Sequence, residues 1–114
     1  MNVYDQAHDL ARVIKESNEV KERDRLLAIA EADETNKTLL KEYKKLQIQL
    51  QMQSIGGQTD NDAVSRFQQI ASLLAMNSDV MAYLMSEMRL QQMMGDVFKI
   101  LSEASGMNMD FLGN

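Results

Sequence analysis

The chain's one histidine, His8, lies between Asp5 and Asp9, so general acid–base work or a metal would be sought there first. A transition-metal site needs several converging ligands, and neither a His-Glu-x-x-His nor a Glu-x-x-His spacing occurs. His8 therefore reads as a solvated or helix-paired side chain. Asp60 and Asp62, just after a Gly-Gly pair, hint at calcium. An EF-hand loop counted from Asp60 would need oxygen ligands and a glycine where Val64, Ser65 and Ala71 stand. Helix capping suits these acids better. Gly56-Gly57 lacks the Lys-Ser/Thr that a phosphate-binding loop requires, and no glycine frames a nucleophilic serine. Glu87 and Asp96 fall on an apolar stretch, where acids more often pair or face solvent. Glu87 and Arg89 are too close in sequence to face each other on one helix. No catalytic residue, metal or cofactor is expected, and the chain reads as a non-enzyme.

Two patterns point to association instead. Lys37, Lys41, Lys44 and Lys45 form a basic ridge at helical spacing, suited to an acidic partner or to RNA phosphates. The competing reading is a solvated face, favoured by an acidic chain with few aromatic stacking residues. Eight methionines fall between residues 76 and 109. Unbranched thioethers repack against different partners, so they serve either as core and dimer filler or as an adaptable contact surface.

The elements that carry these residues follow from composition and periodicity. The chain has 114 residues, 45% hydrophobic and 25% charged, with no proline, cysteine or tryptophan. A chain of this length forms one domain and buries roughly 65% of its unfolded surface, enough for a core but only just. Five glycines and no proline argue for long helices. The net charge of −5 does not draw the molecule to nucleic acid or anionic lipid. Without cysteine there is no disulfide and no thiolate metal site. The first residues lack the basic and apolar regions of a secretory signal, and no window approaches 18 apolar residues. A cytoplasmic protein without a membrane span is expected.

Four or five helices are expected within one all-helical domain over 1–114, at about 3–16, 19–32, 35–55, 61–76 and 79–105, with helices two and three either broken near 33–36 or continuous. Ser17-Asn18, the run 33–36, a weak capping box at Thr59 and Asp62, and Asn77-Ser78-Asp79 supply starts. Gly56-Gly57 supplies a stop. Helix three has the clearest pattern: Leu39, Tyr43, Leu46 and Leu50 form a seam, and Ile48, Met52 and Ile55 line the opposite side. Such a helix needs two packing partners, one of which is expected to be another subunit. In the last helix Gly95 suggests close approach of a neighbouring backbone. Phe111 and Leu112 lie in a short tail expected to fray.

These residues also carry a resemblance. Tyr4-Asp5-x-Ala7-x-x-Leu10 with Ile14 and Ser17, Ala32-Asp33-Glu34, Leu46-Gln47-x-x-Leu50-Gln51-x-Gln53-x-x-Gly56, and Leu84-x-x-Glu87-x-Arg89-Leu90 with Gly95-Asp96 resemble the YheA-like branch of the YlbF/YmcA family. The resemblance spans nearly the whole chain and implies a small, all-helical, dimerising bacterial cytoplasmic protein. Some relatives are non-enzymatic regulators of competence, sporulation and biofilm formation, acting through a complex that influences an endoribonuclease and mRNA processing. Those relatives can hold cysteine-ligated iron–sulfur clusters; a chain without cysteine cannot. The family supplies no catalytic motif to transfer.

The combined expectation is an all-α fold with a long antiparallel hairpin of helices three and five, assembling as a homodimeric helical bundle. Its role would be regulatory and non-catalytic, with other regulatory proteins as further partners. Ile48, Met52, Ile55, Met81, Met85 and Met88 would form the subunit or partner interface. An RNA-associated or mRNA-processing accessory role through the lysine ridge is the alternative.

Overall fold

Every helix begins at a short polar side chain that accepts the backbone N–H three residues on. Asn2, Ser17, Asp33, Asp60 and Asn77 accept from Asp5, Val20, Asn36, Ala63 and Val80. Each cap satisfies one of the donors that a helix start leaves unpaired. In the computed structural model, which describes residues 2–107, these caps open five helices. They are α1 (Val3–Lys15), α2 (Asn18–Glu31), α3 (Glu34–Ile55), α4 (Asn61–Ala75) and α5 (Ser78–Ser105). No strand occurs among the described residues.

Two expectations about the connections change. The cap of α4 is Asp60, whose carboxylate accepts from Ala63 N at 3.1 Å; the Thr59–Asp62 box does not form. Among the described residues nothing lies within 4 Å of where a Cβ on Gly95 would sit, so no described backbone approaches it closely. Gly57 does need to be glycine, because it turns the chain out of α3 at φ +76°. Residues 32 and 33 separate α2 from α3, so those helices are not continuous. The tail residues Phe111 and Leu112 lie outside the described residues.

The pairing of helices also differs from expectation. α5 packs chiefly on α2, and α3 on α4; α3 and α5 are not a hairpin. α2 runs antiparallel to α5, since Asn18 shares a groove with Asp96 while Arg23 reaches Glu87 at 3.4 Å. The five-residue connection 56–60 folds α4 back along α3, where Arg66 pairs with Glu42 at 2.6 Å. Tyr43 stacks on Phe67 with ring centroids 4.7 Å apart. Helices close in sequence need only short connections, which favours α3 with α4 over α3 with α5.

The two pairs meet at one core of Ala30, Leu40, Ile70, Leu74, Val80 and Tyr83. Leu26, Leu27, Leu39, Tyr43, Leu46 and Leu84 pack around it. Three of the four expected α3 seam residues thus face inward, while Leu40, outside that seam, is buried deepest on the helix. Each fully buried Leu, Ile or Val contributes about 1.5–3 kcal/mol.

The core is small for the chain. The molecule measures 49 × 36 × 16 Å with a radius of gyration of 17.2 Å. A compact chain of this length would have about 13 Å. Its accessible surface is 8643 Å², where a compact monomer of this mass would expose about 6,300 Å².

Candidate functional site

α3 and α5 each carry two kinds of face. On α5, Val80, Tyr83, Ser86 and Leu90 are buried, and a helical period of 3.6 places Met81, Met85 and Met88 on the far side. All three are exposed. On α3, Ile48, Met52 and Ile55 are also exposed, at 57%, 68% and 88%. The residues expected to form an interface are therefore uncovered in the single chain. Among the described residues the two trios lie on helices that do not pack as a pair.

The lysine ridge divides. Lys44 turns inward, donating a hydrogen bond to Tyr83 Oη with its ammonium 4.8 Å from the ring centroid. Lys37 and Lys41 stay exposed and join Lys44, Glu31, Leu27 and Leu40 around a depression of about 230 Å³. Lys45 is exposed and does not line it. The ridge thus keeps three outward cations, with Glu31 beside them.

Beneath the ridge lies a polar cluster that residue spacing alone did not reveal. Burial first, and then the neighbouring Glu87 carboxylate, hold the Tyr83 phenol far above its ordinary range. Glu87 pairs with Arg23 of α2, while its other oxygen, Oε2, is buried without a hydrogen-bond partner. Ser86 donates to the Tyr83 carbonyl at 2.6 Å. The positions 83, 87, 90, 94, 97 and 101 repeat at spacings of 4 and 3. Following that register through α5 is the signal that would have found Tyr83.

The remaining polar candidates lie apart. His8 is exposed on α1, and Asp62 lies in the first turn of α4. Asp96 accepts from Gln92 at 3.1 Å along α5. An open groove of about 550 Å³ runs between α2 and α5, lined by Asn18, Glu19, Glu22, Arg89, Gln92, Met93 and Asp96. Among the described residues no group of three or more His, Asp or Glu is arranged to hold a metal ion. No described helix is long and apolar enough to cross a membrane.

Comparison with known proteins places this geometry. The family model described as "Control of competence regulator ComK, YlbF/YmcA" matches residues 3–104. A UPF0342 protein of Caldicellulosiruptor saccharolyticus is 37% identical over 114 residues, covering 98% of this chain and 94% of the relative. A UPF0342 protein of Halothermothrix orenii is 38% identical over 102 residues, covering 89% and 86%. One from Clostridium tetani is 32% identical over 112 residues, covering 97% of each. Among solved structures, a "Protein of Unknown Function (DUF964) from Bacillus stearothermophilus" superposes with a TM-score of 0.76 at 17% identity, over 91% of this chain and 92% of that one. At that identity the likeness establishes the all-helical fold alone.

Proposed function

The chain belongs to the YlbF/YmcA family, and from that premise we propose that it is a non-catalytic regulatory protein acting as a cytoplasmic homodimer through helix-mediated contacts. The observation that carries this reading is uncovered surface. The chain exposes about 2,300 Å² more than a compact monomer of its mass, and much of its exposed surface is large apolar side chains along α1, α3 and α5. Obligate homodimers bury about 2,000–5,000 Å² in total, about half from each subunit, so the excess is of the right size. The description of the family supports a regulatory class of function, and other regulatory proteins are the natural further partners.

Ile48, Met52 and Ile55, with Met81, Met85 and Met88, are proposed as contact surface. Changing Ile48 and Met52 together to Glu tests this by placing two charges on it. The double variant should keep its helical circular dichroism and lose its dimer or its partner. A folded variant that still dimerises and still binds would remove this face from the interface.

An RNA-associated accessory role through Lys37, Lys41 and Lys45 is a weaker reading, because Lys44 is engaged with Tyr83 and Glu31 lies close by. Phosphate contacts would make binding fall steeply with salt. Equal RNA affinity in wild type and in a variant with all three lysines changed to Glu would end it.

A further inference from the structure

Two segments of this chain have an apolar stripe that the other described residues leave partly uncovered. The first is α1. Its Val3, Ala7, Leu10 and Ile14 repeat at spacings of 4, 3 and 4, yet the helix contributes no buried residue. Leu10 and Ile14 are half-buried beside the start of α2, whereas Val3 is 80% exposed. A helix of 13 residues is marginal in water unless its apolar face is covered.

The second segment is the far end of α5. Leu90, Met94, Val97 and Leu101 continue the seam that begins at Tyr83, again at spacings of 4, 3 and 4. α2 runs beside the start of the seam and begins at Asn18, near Asp96. Cover thins on both sides of that point: Leu90 is 8% exposed, Met94 42%, Val97 is half-buried and Leu101 is 54% exposed. About two turns of α5 thus extend beyond their partner helix.

We infer that α1 of one copy packs its stripe on the end of the α5 seam of a second copy, and that the second copy returns the same contact. The inference rests on the homodimer reading above and names the elements that exchange. The two stripes match in length and in spacing, as helices meeting along a coiled-coil-like seam require. The exchange is self-complementary, so it closes at two subunits and leaves neither stripe bare. A partner other than this chain would have to cover two separate stripes.

The chain has no cysteine, so introduced cysteines report contacts without background. Full-length Ala7→Cys would be co-expressed with full-length Met94→Cys, Val97→Cys or Leu101→Cys, each carrying a different tag, and then oxidised. A disulfide forms only where the two Cα atoms come within about 7 Å. At least one of the three pairings should give a mixed, disulfide-linked dimer as the dominant species. Ala7→Cys with Glu103→Cys, on the polar side of α5, should give little. Dimers by light scattering with no linkage in any of the three pairings, or with equal linkage to residue 103, would overturn the exchange and leave the dimer standing. Monomers at every concentration would overturn both.

Discussion

Tyr83 is where three helices share one polar contact. It projects from α5 into the core, accepts a hydrogen bond from Lys44 of α3, and lies beside the Glu87–Arg23 pair that links α5 to α2. Its phenol stays protonated far above the ordinary value of 10.0. The unfolded chain releases that proton near pH 10 while the folded chain keeps it, so above that pH the folded state binds more protons. Stability should therefore fall as pH rises past about 10, by up to about 1.4 kcal/mol per pH unit, and this group adds no pH dependence below that. Tyr83→Phe should lack that part of the slope in urea unfolding between pH 9 and 11. Equal slopes in the two proteins would contradict this description of Tyr83. Leu74, 1% exposed, tests the neighbouring apolar packing. Leu74→Ala should cost about 2–5 kcal/mol in the same experiment, because the helices around it close only part of the cavity.

At the scale of the elements, caps and glycines make separate, measurable contributions. Asn77 caps α5 by accepting from Val80 N at 3.0 Å, and Asn77→Ala should cost about 1 kcal/mol. Gly95 lies inside α5 with open space around it, so Gly95→Ala should raise stability by about 0.5–1 kcal/mol. A loss in thermal unfolding of Gly95→Ala would mean that something outside the chain approaches it. These helices were legible in the sequence because their signals are local. Ser17, Asp33 and Asn77 stand at helix starts and Gly56-Gly57 at the end of α3. The pairing of helices was not legible, because the Leu39–Leu50 seam says only that α3 has a partner, and α4 and α5 both offer apolar faces. The Tyr83 cluster stayed hidden for a related reason: its members Arg23, Lys44 and Glu87 come from three helices and follow no common spacing. The exposed Ile48 and Met52 were legible as a second apolar face, but a face without a partner does not say what covers it.

At the scale of the whole molecule, a layer 16 Å thick cannot bury both sides of its helices. Helices alone are about 10–12 Å across, so a sheet of them one to two deep leaves α1, the Met81–Met88 face and the end of α5 open to whatever binds there. A second copy is the simplest cover, and the dimer is the claim on which the regulatory reading stands. The most direct measurement is solution mass by light scattering, taken from high concentration down to low micromolar. The expected result is a steady mass of twice 13.0 kDa across that range. A mass of 13.0 kDa at every concentration would contradict it.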